Sequence, residues 1–276
     1  MSNNNDILIP KEGKGVSKQK KQKRAIFLFF ELFQRKFWDL IKLNLIYILF
    51  CLPIITFGPA TAAMTKILRY YYEEKPVFLF NDFVKAFKEN FKQSFFVGII
   101  DILFIIAFVL YTKFFLPDTA VDTQDWLKYA LILLVTVIFL LANFYIYVQI
   151  VTLTLKMPAI IKNSIYFVFL SIVPNFVSLS VFVISFTLVL LFLPYSLIVM
   201  ILIGFSFIGL VVVFNTYRVI YKIIIKPYYE AKGEKTPLEK NLDNEDAIFT
   251  DVGEQEPPAE KPIFTGKAKG KGKVIK

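Results

Sequence analysis

Five long apolar runs divide the chain, at about residues 40–57, 94–116, 129–155, 164–191 and 195–217. A helix needs about 20 apolar residues to cross a hydrocarbon core of about 30 Å, and each run comes close to or exceeds that length. Helices satisfy their backbone polar groups internally, as lipid requires. The pattern therefore predicts an all-α fold, a polytopic transmembrane helical bundle with five long spans.

Basic residues between the runs predict how the chain crosses. Residues 1–42 and 66–92 are rich in Lys and Arg, which favours the cytoplasmic side, whereas residues 117–127 contain Asp but no Lys or Arg and favour the outside. Five spans would leave residues 66–92 outside. A short sixth helix over residues 60–72 restores the charge rule, whether it crosses the membrane fully or re-enters it. Both termini then lie in the cytoplasm.

Two segments have the pattern of helices at the membrane surface. Residues 25–38 mix aromatic and basic residues, which suits an interfacial helix leading into the first span. In residues 79–93 the apolar positions follow helical spacing, and Lys85, Lys88 and Lys92 line the other side. We predict a basic amphipathic helix lying on the cytoplasmic face. It either anchors the loop to anionic lipid headgroups or docks a cytoplasmic partner.

Hydrophobic periodicity is lost at both ends of the chain. Residues 1–24 are polar and basic, and residues 227–276 contain many acidic residues followed by a Gly- and Lys-rich stretch. Both segments are predicted to be disordered cytoplasmic tails. The transmembrane domain is accordingly predicted over residues 25–226, with the amphipathic helix inside it.

The turn before the short helix has a distinctive sequence over residues 52–59, Leu-Pro-Ile-Ile-Thr-Phe-Gly-Pro. Pro53 and Pro59 interrupt helical hydrogen bonding, and Gly58 with the small residues after it allows close helix approach. Thr56 is placed to satisfy a freed carbonyl group. The segment is either a plain hairpin or a broken helix whose N-terminus holds an anionic group.

Polar residues inside the apolar runs are candidate functional residues, because they are costly in lipid. Asp101 lies about two turns into the second run, and Lys42, Lys66 and Arg69 are its candidate partners. It is a coupling or proton site, one half of a packing ion pair, or an aspartate reached by interfacial water. Pro174 is expected to kink the fourth run. Five amides either line a polar path or join helices; they are Asn44, Asn143, Gln149, Asn175 and Asn215.

Composition limits the chemistry that these residues support. The chain is 56% hydrophobic and carries a net charge of +10, and its basic residues flank the apolar runs, which indicates anionic lipid rather than nucleic acid as their partner. It has one cysteine, Cys51, and no histidine, the commonest general base and metal ligand. No phosphate-binding loop, nucleophile elbow or metal-binding motif is present. We therefore expect no catalytic residue, cofactor or metal site.

Asn44, the segment 52–63 and the segment 83–93 form a combined pattern at a characteristic spacing. In this pattern the chain resembles the YesL-like family of bacterial membrane proteins of unknown function, over roughly residues 25–226. The resemblance implies a protein of the bacterial cell (inner) membrane, in a family often associated with carbohydrate uptake systems. It supplies no catalytic or binding residue. The basic N-terminal extension and the long C-terminal tail depart from the family's pattern.

Two functions of different classes are expected. The first is a non-enzymatic accessory protein for assembly or regulation of a carbohydrate uptake system, with a transporter or sensor membrane subunit as its partner. The alternative is a small-solute permease or channel, with a water-accessible path lined by Asp101 and the buried amides. The sequence leaves the substrate, the partner and the oligomeric state open.

Overall fold

A computed structural model describes residues 25–115 and 123–236, which are helical apart from short turns. No strand occurs within these two segments, which confirms the predicted all-α class. The helices are α1 Ala25–Cys51, α2 Phe57–Tyr72, α3 Leu79–Phe115, α4 Thr123–Thr152, α5 Met157–Leu170, α6 Ile172–Leu191, α7 Ser196–Val199, α8 Phe205–Ile220 and α9 Lys226–Lys232.

Four helices in these segments are long and apolar enough to cross a membrane. Large apolar side chains on them are exposed, among them Leu103 at 59% and Phe186 at 58%, and such a surface suits contact with lipid. The chain is therefore a membrane protein. The four helices are Leu79–Phe114, Trp126–Thr152, Ile172–Leu191 and Ser196–Lys232.

The predicted count of five long spans is not confirmed. The first predicted run begins in α1, but only residues 43–51 of that helix are free of charge before it ends. The predicted run 164–191 is divided, because α5 ends at Leu170 and α6 begins at Ile172. Pro174 is the third residue of α6, where a backbone N–H would have no helical partner. It therefore lies in the first turn of a helix instead of kinking one.

The last helical run is continuous over Ser196–Lys232, although its hydrogen-bonding pattern changes along it. The π-helical segment Met200–Gly204 joins α7 to α8, and a second one, Tyr221–Ile225, joins α8 to α9. The run ends at Gly233, whose φ of 67° suits a left-handed C-cap. It thus continues past residue 226, the predicted end of the transmembrane domain.

Helix α2 is the centre of the bundle. Most of its residues are buried, and it packs against α1, α3, α4 and α8. Its first half is rich in small residues, so neighbouring backbones approach closely. A Cβ on Gly58 would lie 2.9 Å from the Cα of Gly98 and 2.1 Å from the carbonyl oxygen of Ser94, both in α3. The short helix predicted at 60–72 is therefore covered by protein and not by lipid.

The hairpin between α1 and α2 reaches only partway along α3. The hydroxyl of Thr56 closes the turn, since it lies 2.6 Å from the carbonyl oxygens of both Phe50 and Pro53. Gly58, at the start of α2, contacts Gly98. From that contact α3 continues to its end for about 25 Å. The far part of α3 therefore extends well beyond the hairpin.

The predicted amphipathic helix is not a separate helix on the membrane surface. Residues 79–93 are the first turns of α3, which continues without a break into the apolar run. No proline interrupts α3, so nothing in the sequence ends the helix there. A helix that continues into a span cannot lie flat on the surface, and this prediction is corrected. Residues 25–38 are likewise the first part of α1.

Several predicted features lie outside the residues that the structure describes. These are the tail at 1–24, residues 237–276 of the second tail, and residues 117–122 of the predicted outer connection.

Candidate functional site

Asp101 lies on α3 and is buried where this helix packs against α4. Only 8% of the residue is exposed, and its Oδ2 accepts a hydrogen bond of 2.7 Å from the hydroxyl of Tyr147. Asn143 lies one turn before Tyr147 on α4 and also faces the carboxylate. The second carboxylate oxygen, Oδ1, is buried and has no hydrogen-bond partner within residues 25–115 and 123–236. Asp101, Asn143 and Tyr147 are called the Asp101 site below.

The sequence-predicted partners of Asp101 do not reach it. Lys66 instead pairs with Glu89 of α3 at 2.6 Å, and Arg69 and Lys42 pair with carboxylates near their own positions. Asp101 lies about 18 Å farther along α3 than Glu89, which is beyond the reach of a lysine side chain on α2. The predicted ion pair is therefore corrected to a hydrogen bond with a neutral tyrosine.

Side chains of α1 and α2 complete the surroundings of the Asp101 site. Tyr47 is buried and shares a hydrogen bond of 3.2 Å with Thr61 of α2. Tyr47 and Cys51, one turn apart on α1, both lie near Tyr147. Four helices thus contribute hydroxyl, thiol, amide and carboxylate groups to one buried region. Across the described segments no three Cys, Asp or Glu side chains gather as metal ligands.

Two other predicted amides lie elsewhere. Gln149 donates through Nε2 to the hydroxyl of Ser164 at 2.7 Å, which joins α4 to α5. Asn215 donates to the hydroxyl of Ser178 at 3.1 Å, which joins α8 to α6. Both therefore act as contacts between helices, and the structure does not bring them to Asp101.

Asn175 stabilises the break between α5 and α6. Its Nδ2 donates to the carbonyl oxygen of Val168 at 2.8 Å, and its Oδ1 accepts a hydrogen bond of 2.7 Å from the hydroxyl of Tyr145. The last carbonyl groups of a helix have no helical donor, so this amide supplies one. The break in the fourth predicted run is thus hydrogen-bonded within the protein.

Asn44 has a comparable role at the first π-helical segment. It is fully buried, and its Nδ2 donates to the carbonyl oxygens of Met200 at 2.9 Å and Ile201 at 2.7 Å. Its Oδ1 accepts from the backbone N–H of Ser206 at 2.8 Å. A π-helical segment departs from regular i→i−4 bonding, and Asn44 supplies partners for the groups this leaves. It therefore joins α1 to the last helical run.

The sequence reasoning missed a buried ion cluster at the end of α2. Arg69 and Glu73 are only 4% and 3% exposed. Glu73 accepts a hydrogen bond from the hydroxyl of Tyr217 and lies 2.7 Å from the Nζ of Lys75. Arg69 donates through Nη1 to the carbonyl oxygen of Val151 at 2.6 Å. The i, i+4 spacing of Arg69 and Glu73 was the available sequence signal.

Lys85, Lys88 and Lys92 are exposed along one side of α3 and are called the basic stripe below. The opposite side of the same turns, including Phe83 and Ala86, is buried in the bundle. The sequence-predicted division of this segment into a basic side and an apolar side is therefore present.

Beyond the basic stripe the exposed side of α3 becomes apolar. Phe96, Leu103 and Ile106 are 55%, 59% and 49% exposed. Exposed lysine followed by exposed apolar residues on one helix is typical of the boundary between headgroups and hydrocarbon. On α3 this change from exposed lysine to exposed apolar residues occurs between Lys92 and Phe96.

A separate open cleft of about 410 Å³ lies between α6 and the start of the last helical run. Its walls are almost entirely apolar and include Phe192, Met200 and Phe207. Since no predicted polar residue lines it, the cleft does not extend the Asp101 site.

Residues 40–114 match the model of a family whose description is "Protein of unknown function, DUF624". The matched region contains the hairpin, α2 and nearly all of α3, and therefore the basic stripe and Asp101, but neither Asn143 nor Tyr147. Neither the curated proteins nor the solved structures give a significant match to the chain. The comparisons therefore assign no activity.

Proposed function

We propose that the chain is a non-enzymatic accessory protein of the bacterial cell membrane that docks a transporter or sensor subunit at the basic stripe. The supporting observation is that Lys85, Lys88 and Lys92 project outward while the opposite side of their helix packs inside the bundle. Glu89, on the same turns, is engaged by Lys66 of α2. The three ammonium groups are therefore accessible from outside the bundle, which supports this proposal.

The surroundings of the basic stripe fit a docking surface as well as a lipid contact. Phe80 and Phe91, on the same part of α3, are 57% and 37% exposed. Aromatic residues are enriched in protein interfaces, and aromatic residues beside lysines also occur where a helix meets anionic headgroups. We propose an acidic face of a membrane subunit as the partner, with anionic lipid as a second ligand.

The resemblance to the YesL-like family supports the bacterial setting and carbohydrate uptake as the process served. The match over residues 40–114 is compatible with this resemblance, because YesL belongs to DUF624.

We place both termini and the basic stripe in the cytoplasm, on the excess of Lys and Arg there. On α1 the exposed Lys42 is followed by Leu45 and Leu49, which are 46% and 58% exposed. This change from cation to apolar surface parallels the one between Lys92 and Phe96 on α3. We therefore propose that the hairpin of α1 and α2 is re-entrant: it enters the membrane from the cytoplasmic face and returns without crossing.

Affinity purification from native membranes, followed by mass spectrometry, tests the docking role. The variant Lys85→Glu/Lys88→Glu/Lys92→Glu is expected to lose a membrane subunit that the unaltered protein retains in stoichiometric amount. The matched control reverses three other exposed lysines, Lys162→Glu/Lys222→Glu/Lys226→Glu, and is expected to retain it. Unchanged recovery by the first variant, or purification of the unaltered protein alone, would refute the docking role.

The second candidate is a small-solute permease or channel, and the Asp101 site is the observation that favours it. Its carboxylate has a buried oxygen without a partner, as a ligand-binding group would. Purified protein in liposomes should then show solute flux that Asp101→Asn alters. The absence of flux across a broad solute panel would remove this candidate.

A further inference from the structure

Among the described residues, the side chains around the Asp101 carboxylate are uncharged. The titratable groups around it are Tyr47 and Cys51 of α1 and Tyr147 of α4, and none of them is a cation. Thr61 of α2 is hydroxyl-bearing and uncharged. No lysine or arginine in the described part of the chain forms an ion pair with Asp101.

The nearest cations of α2 already have partners of opposite charge. Lys66 pairs with Glu89, and Arg69 with Glu73. Their positive charge is therefore balanced where they lie, about three turns of α3 away from Asp101. A carboxylate that is more than nine-tenths buried is unfavourable as an uncompensated anion, so its charge must be balanced by something else.

Two buried oxygen atoms at the site lack a well-formed hydrogen bond, although the side-chain amide of Asn143 lies close enough to interact with the Asp101 carboxylate. Oδ1 of Asp101 and Oδ1 of Asn143 are both buried, and neither has a hydrogen-bond partner among the described residues. Asn143 faces Asp101 from the turn next to Tyr147, whose hydroxyl already occupies the other carboxylate oxygen. Carboxylate and amide oxygens are ligands of hard cations and acceptors for a proton.

We propose that the Asp101 site binds one monovalent cation, a proton or an alkali metal ion, at Oδ1 of Asp101 with Asn143 beside it. A proton or an alkali metal ion would each supply the single positive charge that balances the buried carboxylate. Tyr147 positions the carboxylate by holding its other oxygen. The inference is independent of docking at the basic stripe, and it gives the second candidate function a ligand class.

Infrared spectroscopy of the purified full-length protein in lipid bilayers tests this site directly. Aspartate labelled with ¹³C at the side-chain carboxyl group identifies the bands of aspartates in the unaltered protein. Spectra are recorded at neutral pH in sodium, potassium and choline buffers. Asp101→Asn assigns the bands of interest, and Asp82→Asn, a more accessible carboxylate on the same helix, is the matched control.

A proton-bearing carboxyl band that is lost in Asp101→Asn and kept in Asp82→Asn would identify the ligand as a proton. Carboxylate bands that shift in sodium or potassium relative to choline, with the shift lost in Asp101→Asn, would identify an alkali ion. An Asp101 carboxylate that is ionised and insensitive to the cation would overturn the proposal.

The test remains decisive if Asp101→Asn does not fold. The isotope shift is then read in the unaltered protein, and Asn143→Leu removes the neighbouring amide oxygen while Asp101 stays. That substitution is expected to weaken the cation-dependent shift or change the position of the carboxyl band. Identical spectra with Asn143→Leu would overturn the role of the second oxygen.

Discussion

Gly58 and Gly98 hold α2 and α3 together with their backbones in contact. A Cβ on Gly98 would lie 2.8 Å from both the Cα and the backbone nitrogen of Gly58. Backbone atoms cannot move aside as the end of a flexible side chain can. This contact therefore fixes how far the central helix approaches its longest neighbour.

Gly98→Ala should destabilise the protein by at least about 1–3 kcal/mol, because the added methyl group must push two helices apart. Gly209→Ala is the matched control, since its methyl group would meet only the side-chain ends of Leu68 and Met64. Thermal unfolding in detergent compares the two. Equal losses of stability in Gly98→Ala and Gly209→Ala would contradict the backbone contact between Gly58 and Gly98.

Asn44→Leu should cost about 1–3 kcal/mol for each backbone group it leaves without a partner. Those groups are the carbonyls of Met200 and Ile201 and the N–H of Ser206. Asn81→Leu, at an exposed position of α3, should change the same thermal midpoint little. Equal midpoints for the two variants would show that Asn44 does not support the π-helical segment.

Removing Arg69 should be more harmful than removing an exposed arginine. Arg69→Leu removes one of the two cations beside the buried Glu73 together with the donor to the carbonyl oxygen of Val151, and is expected to cost about 1–3 kcal/mol. Arg35→Leu breaks an exposed pair with Glu74 and should cost under about 1 kcal/mol. Adding Glu73→Leu to Arg69→Leu should recover part of the loss, and strictly additive losses would argue against coupling.

The re-entrant hairpin predicts where a reactive cysteine can be labelled. In a background with Cys51→Ser, Ile54→Cys lies at the tip of the hairpin, where Ile54 is 72% exposed. It should resist a membrane-impermeant maleimide from either side, because lipid surrounds it. Thr119→Cys, in the predicted outer connection, should react from outside, and Lys88→Cys only from the cytoplasmic face. Reaction of Ile54→Cys from outside would mean that α1 and α2 cross fully.

The helical class and the hairpin follow directly from the sequence, since long apolar runs and closely spaced prolines act locally. The flat amphipathic helix was wrong because periodicity defines the sides of a helix and not the direction of its axis. The division at Ser171 was missed because its signal, Pro174, was interpreted as a kink and not as part of the first turn of a new helix.

The sequence alone could not predict which residues come together in the Asp101 site. Tyr147 is one of many aromatic residues near the ends of apolar runs, so nothing local separates it from an interfacial tyrosine. Its hydrogen bond to Asp101 depends on the relative placement of α3 and α4. Charge alone suggested Lys66 and Arg69 as partners of Asp101. In the structure Lys66 pairs with Glu89 and Arg69 with Glu73, so neither pairs with Asp101.

The central position of α2 constrains the order in which the helices enter the membrane. With 16 residues and two cations, α2 is too short and too polar to enter lipid by itself during synthesis. Helix α8 covers part of α2 but leaves the ribosome long after α2 does. The hairpin must therefore wait at the membrane surface until the later helices are inserted, so a chain arrested before α8 should present α2 to quality-control proteases.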